Sequence, residues 1–130
     1  MSSKVAGNAW GEIIHHESDG ILELRWLPAE MTDGAFKATL TLLAWEAEKL
    51  RPAFLLIDAT RFRHQFGAEV MRWRDDCIIP RYGAAGVTKF AFHMPEGMPM
   101  IGMPPVPEEP GRFPTGYFGR RQDALDWLTS

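Results

Sequence analysis

The sequence predicts a single α/β domain over residues 1–130, built on a mixed, mostly parallel sheet of about five strands with helices packed on it. Short apolar runs of strand length alternate with longer segments of helical periodicity. A turn signal near the N-terminus separates two strand-like segments and adds a hairpin before the alternating part. The chain has 130 residues, enough to bury the core of one domain without a disulfide or metal.

The N-terminal hairpin is predicted from residues 9–16 and 21–27, which flank the turn signal Glu17-Ser18-Asp19-Gly20. In the second segment leucines and a tryptophan alternate with Glu23 and Arg25. This alternation is typical of a strand with one face toward the core and the other toward solvent.

The first helix is predicted to begin at Thr32 or Asp33, either of which can cap it, and to end at about Leu50. One apolar stripe at helical spacing should pack on the sheet. A second stripe, more than a quarter turn away, contains Leu42 and Trp45. Two interpretations remain open: a broad arc of the helix is buried within the fold, or Leu42 and Trp45 contact a second copy of the chain in a homodimer.

Strands and helices alternate in the rest of the chain. A buried strand should give way to a helix that Pro80 ends, with Cys77 on its apolar stripe as an inert, buried thiol. The predicted elements are strand 53–58, helix 67–79, strand 87–93, strand 115–118 and helix 120–128. Strands joined by crossover helices call for right-handed connections and a largely parallel sheet.

A long segment rich in proline and methionine, residues 94–114, interrupts this pattern. It holds seven of the ten prolines and four of the seven methionines, Met94, Met98, Met100 and Met103. Flexible thioethers adapt to irregular apolar surfaces, and proline stiffens a loop toward an extended form. Three interpretations compete: a lid over an apolar pocket, an arm on another subunit or partner, and a disordered insertion.

The candidate binding site lies at the ends of two predicted strands. If the strands ending at Asp58 and His93 are parallel neighbours, their polar ends gather at one sheet edge, where open α/β folds place ligands. The predicted ligand- or partner-binding residues are Asp58, Thr60, Arg61, Arg63, His64, His93, Met94, Met98, Met100 and Met103.

Two chemical interpretations of these strand ends differ in what Asp58 does. Asp58 beside His64 or His93 could orient a general base in a small hydrolase or isomerase, with a nearby arginine holding a carboxylate or phosphate. Alternatively, a carboxylate that ends a buried strand accepts backbone N–H bonds from the following turn and has a structural role. The second interpretation is favoured, and no catalytic residue is assigned.

Composition and spacing exclude several classes of function. Net charge is −3, and the surplus of seven basic over four acidic residues in 51–90 is too small for a nucleic-acid interface. The histidines and the lone cysteine lack zinc-site spacing, and the chain has neither a P-loop nor a dinucleotide fingerprint, so no metal or cofactor is predicted. With no apolar run of spanning or secretory length, a cytoplasmic location is expected.

The strand FLLID entering a loop and helix, the opening hairpin and the closing YFGRRQDALDWL resemble the SpoIIAA-like proteins of the STAS superfamily, whose members often end in a similar segment. The resemblance extends from about Glu12 to Leu128. It implies a small non-catalytic α/β domain that binds a partner protein or a small apolar ligand.

One feature of that superfamily is missing. Its anti-sigma-factor antagonists carry a phosphorylatable serine at the start of the helix after this strand, where a phosphate meets the helix N-terminus. The corresponding residues 63–67 contain no hydroxyl, and Thr60 lies several residues earlier. The predicted function is therefore a non-catalytic STAS-like binding module for a small apolar or weakly acidic ligand or a protein partner, without the phosphoserine switch. The alternatives are a small hydrolase or isomerase that uses Asp58 with His64 or His93, and a purely structural homodimerising subunit.

Overall fold

A six-stranded mixed sheet forms the centre of the protein, so the predicted α/β class is confirmed. The computed structural model describes residues 2–28, 30–62, 68–95 and 114–130. Across these ranges, no helix combines the length and the apolar character needed to cross a membrane.

The strands are β1 (Ser2–Gly7), β2 (Gly11–His16), β3 (Ile21–Trp26), β4 (Phe54–Asp58), β5 (Lys89–His93) and β6 (Thr115–Phe118). The helices are α1 (Asp33–Leu50), α2 (Ala68–Trp73), α3 (Ile79–Ala84) and α4 (Arg121–Thr129), and a π-helical turn (Arg74–Ile78) joins α2 to α3.

The strands lie side by side in the sheet in the same order as in the sequence. β1, β2 and β3 pair antiparallel, and β3, β4, β5 and β6 pair parallel. The predicted hairpin and the parallel pairing of β4 with β5 are both confirmed. The predicted count of about five strands is one short, because the polar, largely exposed segment of β1 joins the edge of the sheet without an alternating apolar pattern.

Local signals in the sequence set the ends of α1. The Thr32 side chain accepts a hydrogen bond from the backbone N–H of Ala35 at 3.1 Å, which satisfies one of the free amide groups of the first turn. At the other end Arg51 adopts a left-handed conformation with φ of 51°, and Pro52 follows. Both ends agree with the prediction.

The sheet separates two apolar cores because successive side chains of a strand point to opposite faces. The larger core joins α1, α2 and α3 to one face, which we call the helix face, through residues such as Leu43, Leu55 and Tyr82. The smaller core packs α4 on the opposite face around Leu56 and Leu128. We call this second side the α4 face.

The helix after β4 differs from the prediction in two ways. It does not end at Pro80, because the π-helical turn precedes the proline and Pro80 falls in the first turn of α3, where a missing N–H is tolerated. Cys77 is exposed rather than buried. The π-helical turn contains one residue more than an α-helical turn, which changes the side of the helix on which later residues lie. Val70, Ile78 and Tyr82 therefore face the core, and Cys77 does not.

Candidate functional site

The predicted strand-end residues come together only in part. Asp58 and His93 are register partners on β4 and β5, and His93 Nδ1 lies 3.9 Å from Asp58 Oδ1. Arg25, the partner of Asp58 on β3, places its Nε 3.8 Å from Asp58 Oδ2. The expectation that these strand ends converge is therefore met for Asp58 and His93.

Asp58 is committed to the turn that follows its strand. Its Oδ1 accepts hydrogen bonds from the backbone N–H of Thr60 at 3.1 Å and from the Thr60 hydroxyl at 2.6 Å. This is the geometry of an aspartate that stabilises its own turn. Arg61, the next residue, is exposed.

The other predicted binding residues of this region, Arg63, His64, Met98, Met100 and Met103, lie outside the residues that the structure describes. Most of the Pro/Met segment lies outside them as well. The lid, arm and disordered-insertion interpretations of that segment all stay predictions.

An apolar cavity of about 260 Å³ lies between the helix face of the sheet and the helices that cover it. Its lining residues are aromatic or apolar apart from Arg74. The lining residues are Trp26, Phe36, Leu40, Ile57, Ala59, Phe62, Met71, Arg74, Ile79, Tyr82, Phe90, Phe92, Met94 and Tyr117. Of the predicted binding residues, Met94 alone appears in this set.

The sheet separates this cavity from the Asp58 and His93 pair. Ile57 and Phe92 line the cavity, and Asp58 and His93 follow them directly in the same two strands. Adjacent residues in a strand point to opposite faces, so Asp58 and His93 project toward the α4 face. The predicted residues Asp58 and His93 therefore lie on the opposite side of the sheet from Met94, which lines the cavity.

Aromatic rings form much of the cavity wall. The ring of Trp26 stacks on Phe36 with centroids 5.8 Å apart, and Phe62 contacts both. Phe92 stacks on Tyr117 at 5.0 Å on another part of the wall. Rings packed against one another are stiff, so the wall forms a preformed apolar surface.

Tyr82 is the most unusual group in the cavity. It is 1% exposed, and its hydroxyl finds no hydrogen-bond partner in the described parts of the chain. Burial raises the pKa of Tyr82 far above its ordinary value, although the charges of Arg74 and Arg81 act in the opposite direction. The phenol therefore stays protonated and available as a donor.

Both arginines near Tyr82 already have carboxylate partners. Arg74 donates from Nε and Nη2 to Asp75 Oδ1 at 3.2 and 3.1 Å. Arg81 donates to Glu48 from the same two nitrogens at 3.1 and 2.6 Å. The region around the Tyr82 hydroxyl therefore has little uncompensated positive charge.

The α4 face holds a polar cluster that the sequence did not predict, formed by His16, Glu23, Arg25, Asp58, His93 and Arg121. Glu23 is 0% exposed and accepts two bonds from the Arg121 guanidinium, at 2.7 and 2.8 Å. His16 Nε2 lies 2.7 Å from the same carboxylate. Burial by itself raises the pKa of Glu23, but these bonds outweigh it and hold the pKa below its usual range.

The alternation of apolar and polar residues in β3 predicts that Glu23 faces solvent. No neighbouring residue in the sequence indicates that it is buried. Its principal partner Arg121 lies 98 residues away in the sequence. Only the docking of α4 across the sheet brings the two together, so no pattern within one element could have predicted the pair.

The predicted dimer contact is at the surface of this chain. Trp45 is 59% exposed and Leu42 is half-buried. The interpretation in which the whole second stripe of α1 is buried within the fold is therefore wrong at Trp45. The side of the helix that includes Trp45 leaves a large aromatic surface in contact with water.

Comparisons with known proteins gave no match: the sequence fits no protein-family model, and it is similar to no curated protein and no solved structure at a significant level.

Proposed function

We propose that this protein is a non-catalytic binding module, related to the STAS superfamily, that holds a small apolar or weakly acidic ligand in the cavity on the helix face. The observation that carries the proposal is the cavity itself, about 260 Å³ lined mostly by apolar side chains, with Arg74 among its lining residues. Ligand sites are commonly apolar concavities with a few polar anchors, which is the arrangement found here.

The size of the cavity suits a small molecule. Dry apolar cavities of about 150 Å³ bind benzene. A cavity of about 260 Å³ has room for a larger molecule, on the scale of two fused rings.

The geometry gives less support to an enzyme based on Asp58. The 3.9 Å between His93 Nδ1 and Asp58 Oδ1 exceeds the hydrogen-bond range in which a carboxylate orients an imidazole. Asp58 is held by Thr60, and the pair lies on the side of the sheet away from the cavity. A binding role requires neither a general base nor an aligned carboxylate and imidazole.

The relation to the STAS superfamily rests on architecture. An opening hairpin followed by three parallel crossovers agrees with the order that suggested the resemblance. Residues 63–67, where the superfamily carries its serine, contain no hydroxyl. We therefore propose binding that is not switched by phosphorylation at that position.

We further propose that the protein is a cytoplasmic homodimer in which Leu42 and Trp45 of α1 contact a second copy. The support is the exposure of Trp45, 59%, on a helix whose other side is buried. Large exposed aromatic residues are enriched at interfaces between proteins. A protein partner in place of a second copy would use the same surface.

Native mass spectrometry of the protein as purified from cells tests the proposed function. A mass increase of a small molecule, lost on denaturation, is the expected result. The same spectrum reports whether the chain is a monomer or a dimer.

A variant pair tests whether the ligand occupies the cavity. Ala59→Leu adds side-chain volume at the cavity wall, and Ala84→Leu makes the same change at an exposed position of α3. We expect Ala59→Leu to weaken binding of an apolar probe such as tetralin by about tenfold or more, since overpacking costs about 1–3 kcal/mol. Unchanged binding of the probe in Ala59→Leu, or no binding to the wild type, would refute the proposal that a ligand binds in this cavity.

A further inference from the structure

An arginine lies in the core-facing row of the helical segment that covers the cavity. Arg74 comes four residues after Val70 and four before Ile78, and both of these side chains are buried in the larger core. Met71 and Ile79 of the same segment line the cavity together with Arg74. Arg74 therefore lies on the side of the segment that faces the cavity, and among the described residues it is the only charged member of the lining.

The carboxylate partner of Arg74 uses only one edge of its guanidinium. Arg74 Nε and Nη2 both donate to Asp75 Oδ1, at 3.2 and 3.1 Å. Nη1 makes no hydrogen bond within the described part of the chain. The edge formed by Nη1 and Nη2 therefore keeps unused donors, because each terminal nitrogen carries more N–H groups than this contact uses.

The ion pair with Asp75 does not prevent the guanidinium from binding a second carboxylate. The side chains of Arg74 and Asp75 are 31% and 32% exposed, so water screens their attraction and the pair contributes little to stability. The same exposure places this part of the cavity wall within reach of water, so a charged group bound there keeps part of its hydration. The rest of the lining is aromatic or apolar and suits an apolar body.

A carboxylate is the group that fits the free edge of the guanidinium. Its oxygens accept parallel N–H bonds from a planar guanidinium in a forked arrangement, which a single neutral oxygen cannot match. An apolar side chain at position 74 would complete the cavity wall without the desolvation of a charge. A ligand that needs a cation accounts for an arginine at this position.

We propose that the cavity binds an organic acid with an apolar body, and that the free edge of the Arg74 guanidinium holds its carboxylate through a pair of hydrogen bonds. This proposal rests on the proposed function, since it names the ligand class of the same cavity. Of the two ligand types given there, it selects the weakly acidic one. Arg74 is then the residue that sets specificity, and the apolar wall binds the rest of the molecule.

Three probes that share one ring skeleton test the proposal: tetralin, tetralin-2-carboxylate and tetralin-2-carboxamide. The carboxamide has nearly the shape of the carboxylate without its charge. Dissociation constants are measured on the full chain at neutral pH by titration calorimetry and by quenching of tryptophan fluorescence, because Trp26 lines the cavity. We expect the carboxylate to bind at least about tenfold more tightly than the carboxamide, since hydrogen bonds between charged groups are the stronger ones.

Three arginine variants assign the preference to one guanidinium. Arg74→Met removes it and keeps an apolar chain of similar length, so the carboxylate should bind no more tightly than the carboxamide, while tetralin binds within about twofold of the wild type. Arg72→Met makes the same change in net charge at an exposed arginine outside the cavity lining, and should keep the preference. Arg74→Lys keeps the charge without the fork and should retain only part of the preference.

The outcomes separate this proposal from the proposed function. Binding of tetralin without a preference for the carboxylate over the carboxamide, or a preference that survives in Arg74→Met, overturns the proposal and leaves the cavity as a ligand site. The same follows if Arg72→Met loses the preference as fully as Arg74→Met, which would show a general effect of charge. If Arg74→Met does not fold in a urea denaturation control, an undiminished preference in Arg74→Lys overturns the proposal. Failure of all three probes to bind the wild type overturns both.

Discussion

Removal of the Arg121 side chain is expected to destabilise the fold, because the buried Glu23 carboxylate loses its principal partner. Glu23 is 0% exposed, and Arg121 supplies two of its hydrogen bonds, at 2.7 and 2.8 Å. In Arg121→Met the carboxylate keeps His16, at 2.7 Å, and the more distant Arg25, at 3.7 Å. Among the described residues, the guanidinium is the only partner within hydrogen-bond distance of both oxygens.

The size of the effect follows from burial on the two sides of the pair. Breaking a buried ion pair by removing one partner costs about 3–5 kcal/mol. The Arg121 side chain is 35% exposed, so water already screens part of the interaction and the cost should lie at or somewhat below the lower end of this range. We expect Arg121→Met to lower the free energy of unfolding by about 2–3 kcal/mol.

The double variant Glu23→Leu/Arg121→Met distinguishes an orphaned charge from lost packing. Replacing both partners with apolar residues is often neutral, so most of the lost stability should return. Urea denaturation followed by tryptophan fluorescence measures each free energy of unfolding. A loss under about 1 kcal/mol in Arg121→Met, or a double variant less stable than the single one, would show that Glu23 does not depend on this partner.

Three further outcomes are expected. Folding lowers the pKa of Glu23 from its ordinary 4.5, so its contribution to stability is present above that pH and is lost as pH falls through the folded value. Glu23→Gln should therefore reduce the loss of stability between pH 6 and 3 in denaturation measurements, and an unchanged loss would assign it to other groups. Trp45→Glu should convert the proposed dimer to a monomer in sedimentation velocity at micromolar concentration, and a wild type that is already a clean monomer excludes an obligate dimer. Cys77 is exposed and should react with a thiol reagent in the folded protein at a rate close to that of the urea-unfolded chain, whereas labelling only after unfolding would contradict its position.

The strands and their directions followed well from the sequence. Apolar runs such as Phe54–Asp58 and Lys89–His93 are short and bounded by turn residues, and a helix between them leaves parallel pairing as the simple connection. The strand β1 was missed because edge pairing uses backbone groups and its side chains carry no pattern.

Residues of the candidate site were harder to predict, for two physical reasons. Convergence of Asp58 and His93 at a sheet edge was foreseeable, but the face on which they project depends on register. Tyr82 falls outside the predicted helix 67–79, because Pro80 and the nearby glycines signal the end of a helix. A prediction that assumes α-helical periodicity throughout cannot anticipate a π-helical turn.

The π-helical turn fixes which side chains of the following helix face the core. Helical phase advances by about 100° per residue, so deleting one residue between Arg74 and Ile78 would rotate everything downstream by over a quarter of a circle. Tyr82 would then leave the core although every remaining amino acid is unchanged. Among variants of this chain, a single-codon deletion here should disturb the helix-face core more than most single replacements within it.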